Sequence, residues 1–418
     1  MRVLITNVYS FRNKGDAAIV LALLQEVKRV FKNSETYIQT ADIENDKEVY
    51  GVPVSPTLLW LMLSAHRKKK VILQVLLLVS YLIFTMLYIF LFKVQRYRSK
   101  FYQPRGLKNF FEDIEKADLI IACGGGYLRT ESSSAKNSVL LLVTCLNFLS
   151  AHYLNRPVYL YSQSVGPVYG NLQKNILRFA LNRVNIIEPR EDISINYLNT
   201  LNLKSTIIQT ADPVFSLNIE NKFTSLNVKD SVMNVGFTVR KWFSNQAQYD
   251  QYVRSFAVLI DNVSKDKKAH FYYIPQVIAS NFGDDDRKVA EDVLKLVENK
   301  KAVTLISHDM HPLEIAGFCS KLDYFVGTRM HSNIYAIINL VPALAIEYEP
   351  KTRGIMRSLG LENYTINIAD ATGEVLLQKF NKLCSEREIY INILKENIRK
   401  VKFESSSAIE HIYADYKK

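Results

Sequence analysis

Cysteine is scarce in this chain. The four present, Cys123, Cys145, Cys319 and Cys384, are widely spaced over 418 residues and form no CxxC pair. They read as reduced, cytosolic thiols in apolar settings. No zinc-finger, RNP or helix-turn-helix pattern occurs, so nucleic acid has no reader here. No GxGxxG or Walker loop occurs, so neither NAD nor ATP is implied. Low-complexity segments and short-period repeats are missing too. The opening Met-Arg-Val-Leu-Ile-Thr-Asn has too short an apolar run for a signal peptide and reads as a strand. Acidic residues are in deficit, 41 against 53 Lys and Arg, which gives a formal charge of +12. Such a balance suits nucleic acid, an anionic membrane surface or acidic substrates. Much of the positive charge flanks one hydrophobic stretch, which favours the membrane surface.

What is present is a globular composition, 48% hydrophobic and 22% charged, in a chain long enough for two domains. Short apolar runs alternate with stretches of helical spacing in two blocks. The pattern predicts an α/β protein of two Rossmann-like, doubly wound domains facing a cleft. Residues 1–215 form the first domain and 216–231 a polar linker. Residues 232–370 form the second domain, and 371–418 read as basic, amphipathic terminal helices.

Ligands of such sheets bind where strands end and helices begin, so the strand-end loops carry the candidates. After the first strand comes Asn13-Lys14-Gly15-Asp16, where Asp16 can cap the next helix; a tight turn plus a cap also accounts for it. Gly124, Gly125 and Gly126 follow a buried strand and let a ligand approach the backbone. The next strand leads into Ser162-Gln163-Ser164-Val165-Gly166-Pro167. Arg190 is a candidate anion ligand or the partner of a local acid such as Glu191 or Asp192. Asp212 follows Thr210-Ala211, and in the second half strands end at Arg240 and at Pro275-Gln276. The acidic run Asp284-Asp285-Asp286 opens a helix and suits its dipole, with no metal site implied. The richest stretch is 327–351. A strand ends at Gly327, and Arg329 and His331 sit in the turn where a helix begins. Ser332 or Asn333 can cap that helix, and Lys351 follows the next strand.

One segment breaks the alternation. Residues 71–92 hold no charged side chain, and His66 to Lys70 and Lys93 to Lys100 flank them with cations. As a helix the segment is about 33 Å long, enough for a bilayer core. A single crossing separates the first strand from its own sheet, and the basic flanks show no asymmetry. A hydrophobic insertion at about 57–100, seated peripherally or monotopically on the inner face of the cell membrane, is the expectation. A helix buried in a core or dimer, or a true span, are the other readings.

Taken together, Asn13 to Ile19, Gly124-Gly125-Gly126, Ser162 to Pro167, Arg190 with Ser194, Ala211-Asp212-Pro213, and Gly327-Thr-Arg-Met-His331 through Pro342 and Lys351 resemble polysaccharide pyruvyl transferases. The resemblance covers about residues 1–55 and 110–360. It implies a GT-B-like fold, phosphoenolpyruvate as co-substrate, and a glycan or lipid-linked oligosaccharide acceptor that receives a pyruvate ketal. It also implies a donor site at Arg329 and His331, with Arg190 or Arg240 supplying a further arginine and Lys351 as a possible contact. Gly15, the three glycines, Gln163 and Ser164 lie on the matching loops, and with Gln276, which follows a strand of the second half, they are the candidate phosphate or acceptor contacts. Chemically, arginine holds carboxylate or phosphate bidentately. Histidine is suited to deliver a proton to the methylene carbon, or to hold the phosphate if an acid does that work. Asp16 or Asp212 is a candidate base. No cofactor and no metal are needed. Two other functions fit the residues: a GT-B glycosyltransferase using a nucleotide sugar, and a non-enzymatic membrane organiser of glycan assembly. The oligomeric state is open, a homo-oligomer included.

Overall fold

A computed structural model of the chain describes residues 1–64, 80–88, 106–219, 226–279 and 283–418. The chain divides into two compact units. One comprises Met1–Phe11, Ile19–Ala211 and Ser406–Lys418, the other Arg12–Ala18 and Asp212–Ser405.

In the first unit the apolar runs become β1 (Arg2–Val8), β2 (Glu35–Thr40), β3 (Val54–Pro56), β4 (Leu119–Cys123), β5 (Val158–Gln163), β6 (Ile186–Pro189) and β7 (Thr206–Ile207). They pair in parallel in the order β3-β2-β1-β4-β5-β6-β7. β4 is buried along its whole length. A strand covered by helices on both faces must be apolar throughout, which explains the uninterrupted Leu-Ile-Ile-Ala-Cys. Helices Leu107–Lys116 and Ala135–Tyr153 bring Phe110, Phe111, Leu146 and Phe148 into the core.

Part of the hydrophobic insertion belongs to this core. Helix Leu58–Ser64 buries Leu58, Leu61 and Met62. Residues 80–88 are helical; Tyr81 and Thr85 face inward, and Tyr88 stacks on Phe111 with centroids 3.8 Å apart. The Tyr88 hydroxyl donates to Glu115 Oε1 at 2.6 Å. Ile83 and Met86, on the opposite face, are exposed. Most of the stretch 71–92 lies outside the described residues. Among the described residues no helix is long and apolar enough to cross a membrane.

The second unit repeats the plan. Its strands are β8 (Met233–Thr238), β9 (Ala269–Tyr273), β10 (Ile278–Ala279), β11 (Asp284–Asp285), β12 (Val303–Leu305), β13 (Tyr324–Gly327), β14 (Ala343–Glu347) and β15 (Thr365–Asn367). Six form a parallel sheet in the order β12-β9-β8-β13-β14-β15, and β10 and β11 make a small antiparallel pair. In both units the strand order reverses beside the first strand, at β1/β4 and at β8/β13. Connections leave in opposite directions there, which opens a crevice at the strands' carboxyl ends.

Two chain segments group otherwise than their sequence neighbours. Arg12–Ala18 joins the second unit, because Asn13 bridges Val277 and the Ile278 amide donates to Arg12 O at 3.1 Å. The stretch 371–418 is not a separate element either. Helix Gly373–Ser385 buries Leu376, Phe380 and Leu383 in the second unit. Helix Arg387–Tyr416 ends in the first, where the Tyr413 ring meets Phe31 at 5.2 Å and Asp415 accepts from Tyr159 at 3.1 Å.

Candidate active site

The second unit's switch point gathers most of the candidates. β13 ends at Gly327, Thr328 follows, and Arg329 is the N-cap of helix Met330–Ile337. The turn is fixed by side chains that the sequence suggested as caps. Ser332 and Asn333 lie inside the first turn instead. Ser332 Oγ donates to Arg329 O at 2.5 Å, and Asn333 Nδ2 donates to Gly327 O at 3.0 Å. Thr238 Oγ1, at the end of β8, accepts from the Thr328 amide at 3.1 Å and shares a 2.8 Å hydrogen bond with Ser332. The backbone carrying Arg329 and His331 is therefore pinned to the neighbouring strand.

Arg329 is buried and anchored by the acidic run. Its Nε and Nη2 donate to Asp286 at 2.9 and 2.7 Å, and Nη2 also reaches Asp284 at 2.8 Å. Burial opposes the guanidinium's charge, but the carboxylates of Asp286 and Asp284 outweigh it and hold the group protonated. The acidic run thus does more than suit a helix dipole. Asp285 does cap its helix, accepting from the Arg287 amide at 3.1 Å, while Asp284 and Asp286 orient Arg329. Among the described residues no group of acids, histidines and cysteines is arranged to hold a metal ion.

His331 is bounded on two sides. Its Nε2 lies 3.4 Å from Asp212 Oδ2, without hydrogen-bond geometry. Asp212 is itself fixed, since its Oδ1 accepts from the Val214 amide at 3.0 Å and its carbonyl accepts from Ser405 at 2.9 Å. On the other side is Gly15, where a Cβ would lie 2.1 Å from His331 Nδ1. Only glycine fits. The start of helix Lys14–Val30 around it is tied down by the Lys14 amide donating to Gln276 O at 2.8 Å and by Tyr335 donating to Lys14 O at 2.8 Å. Lys14, fully buried, pairs with Asp309. Asp16 accepts from Asn13 Nδ2 at 2.7 Å.

Around this centre several polar groups are buried without hydrogen-bond partners among the described residues: Arg240 Nε, both ends of the Gln276 amide, and the Tyr273 hydroxyl. Arg240 follows β8, which neighbours β13, while Tyr273 and Gln276 end and follow β9, one strand further away. Buried polar atoms are nearly always satisfied, so this group of them at one sheet edge is a candidate for completion by a ligand or by water. Arg240 has no carboxylate partner among the described residues; its Cζ lies 4.2 Å from the Tyr348 ring centroid instead. Lys351, past β14, lies 2.8 Å from Glu349 Oε2.

In the first unit Gly124 adopts φ 144°, and a Cβ there would meet the Tyr127 ring at 2.6 Å. Gly125 and Gly126 continue that loop, and the Gly125 carbonyl accepts from the Ser164 amide at 3.0 Å. Gln163 Nε2 donates to Ala122 O at 3.2 Å and Tyr127 Oη at 3.0 Å. Arg190 is buried, its Nε donating to Ser164 Oγ at 2.9 Å and lying 3.4 Å from Glu191 Oε2. The ion pair with a local acid is therefore present. Sequence reasoning missed Asp286, Asp284, Lys14 and Tyr273 as site residues. Only the three consecutive acids and the lysine inside Asn13–Asp16 offered a signal.

Fold and site define a doubly wound, two-unit α/β protein whose second switch point carries a clamped arginine, a histidine and an arginine without a carboxylate partner among the described residues. The family model for polysaccharide pyruvyl transferase matches residues 13–350. The chain belongs to that family. The amylovoran biosynthesis protein AmsJ of Erwinia amylovora is 23% identical over 303 residues, covering 68% of this chain and 70% of that protein. Among solved structures, UDP-GlcNAc 2-epimerase from Neisseria meningitidis bound to UDP-GlcNAc is similar, with a TM-score of 0.60, 15% identity, and 99% and 100% of the two chains covered. Anabaena Alr3699/HepE in complex with UDP and glucose gives 0.57 and 11%, covering 100% and 99%. At these identities the likeness concerns the fold alone.

Proposed function

We propose that this protein is a transferase of exopolysaccharide synthesis that moves pyruvate from phosphoenolpyruvate onto a hydroxyl pair of a glycan or its lipid-linked precursor. Family membership and the similarity to AmsJ support the polysaccharide role. The observation that carries the donor assignment is Arg240, a guanidinium without a carboxylate partner among the described residues, which follows β8, the strand paired with the β13 that leads to Arg329 and His331. Phosphoenolpyruvate has a carboxylate and a phosphate on one carbon skeleton, and two arginines hold such a pair. Arg329 and Arg240 bind the donor, with Gln276 and Lys351 as further contacts. His331 protonates the methylene carbon, which makes the adjacent carbon electrophilic. One sugar hydroxyl attacks that carbon, the bond to phosphate oxygen breaks, and a second hydroxyl closes the ketal. The two hydroxyl protons balance the reaction, one on the new methyl group and one on the departing phosphate. Asp212, next to His331, and Asp16 are the candidate bases. In the first unit Gly124 to Gly126, Gln163, Ser164 and Arg190 are candidate acceptor or phosphate contacts. The scheme uses no metal and no cofactor.

Acceptor-dependent phosphate release from phosphoenolpyruvate tests this reading. Nucleotide release from a sugar nucleotide instead overturns it in favour of glycosyl transfer. The fold does not separate the two, since one scaffold serves many chemistries.

We also propose seating on an anionic membrane surface through the exposed face at Ile83 and Met86, supported by the cations that flank this segment in the sequence. Ile83→Ser with Met86→Ser then lowers cosedimentation with vesicles containing anionic phospholipid, while phosphate release in solution is unchanged. Undiminished cosedimentation of the double variant refutes the assignment.

A further inference from the structure

We propose that Trp242, backed by Tyr348, forms a stacking platform for the acceptor's pyranose ring, with the Arg240 guanidinium over the Tyr348 ring; this rests on the donor reading above. Trp242 is 40% exposed, whereas the chain's other tryptophan, Trp60, packs against the first unit's core. An aromatic side chain of this size is ordinarily covered, and an open one at a strand end presents a binding face. The Trp242 and Tyr348 centroids are 4.9 Å apart, with ring planes inclined at 46°. Arg240 Cζ lies 4.2 Å from the Tyr348 centroid and 5.4 Å from that of Trp242. The rings follow β8 and β14, the two strands that flank β13. The platform therefore borders the turn that carries Arg329 and His331.

The chemistry selects a sugar. A pyranose has an apolar face of C–H groups and a rim of hydroxyls, and sites that orient it combine aromatic surface with a few polar groups. With centroids 4.9 Å apart and planes inclined at 46°, the two rings pack on each other, so the sugar stacks on the outward face of Trp242 and not between the rings. Ketal formation also needs two hydroxyls aimed at one carbon in succession, and stacking fixes the ring plane that aims them.

The test uses the full chain carrying Trp60→Phe, so that Trp242 is its only tryptophan. Methyl β-galactopyranoside, methyl β-glucopyranoside and methyl β-mannopyranoside are titrated while tryptophan emission is followed, with UDP as the nucleobase probe. At least one glycoside is expected to change the emission saturably, and UDP is not. In phosphate-release assays Trp242→Ala raises the acceptor KM about ten-fold, the scale of one aromatic contact. The phosphoenolpyruvate KM stays unchanged, and Trp242→Phe recovers most of the loss. Unchanged emission with all three glycosides, a response to UDP, or an unaltered acceptor KM in Trp242→Ala overturns the platform. Failure of the donor reading looks different: the unsubstituted protein then releases no phosphate from phosphoenolpyruvate, whatever the glycosides do to Trp242.

Discussion

Substituting alanine for Gly15 isolates the position of the His331 ring from its chemistry. The added Cβ would lie 2.1 Å from His331 Nδ1, 2.7 Å from Cγ and 3.0 Å from Cβ. Carbon does not approach a ring nitrogen that closely, so the imidazole or the loop retreats by about 1 Å, a displacement that costs an oriented catalytic group about 100-fold in rate. The effect on stability is smaller. Gly15 is in the first turn of helix Lys14–Val30, where alanine is favoured by about 1 kcal/mol. Overpacking costs about 1–3 kcal/mol, so the net loss is about 0–2 kcal/mol, or at most several degrees in Tm. The assay is acceptor-dependent phosphate release alongside thermal unfolding of Gly15→Ala, His331→Ala and the double variant. If Gly15 acts through the ring, the double variant is no slower than His331→Ala alone. Additive losses, or Gly15→Ala activity within about three-fold of the parent, refute the reasoning.

Arg240→Ala raises the phosphoenolpyruvate KM at least about ten-fold by removing a charge-assisted contact. Because no ion pair among the described residues is broken, its Tm stays close to the parent's, whereas Arg190→Ala removes the charge partner of the buried Glu191 carboxylate and lowers Tm. Equal Tm values for the two variants contradict this contrast. In the first unit, burial pushes the Glu188 carboxyl up to about 8, and the hydrogen bond to that carboxyl raises His411, 3.1 Å away. Both groups keep protons in the folded chain that the unfolded chain releases. Their contribution is full at low pH and is lost as pH rises, so urea stability falls between about pH 5 and 8. Glu188→Gln flattens that decline, and an unaltered slope in the variant counts against it.

The sheets were legible because buried parallel strands are continuous apolar runs, as Leu119 to Cys123 illustrates. The Arg329–His331 turn was legible for a related reason: charged residues directly after such a run must lie at the sheet's carboxyl edge. Asp286 was not recognised as the partner of Arg329. An acid in a first helical turn is already explained by the helix dipole, and its partner is 43 residues away. Local pattern likewise says nothing of the bridge between Asn13 and Val277 that attaches Gly15 to the second unit. The terminal helix carries a single amphipathic pattern, and nothing in that pattern marks Ser405–Ser406 as the point where it passes from one unit to the other. Ser332 and Asn333 look like caps by composition, but their side chains fold back onto the Arg329 and Gly327 carbonyls.

The most direct measurement is phosphate release from phosphoenolpyruvate in the presence of a depyruvylated exopolysaccharide, followed by mass spectrometry of the glycan. The account predicts phosphate release that requires the glycan, a glycan heavier by one pyruvate less one water per phosphate, and loss of both in Arg329→Ala and His331→Ala. Phosphate release without a change in glycan mass, or a glycan that gains a hexose from a sugar nucleotide, contradicts it.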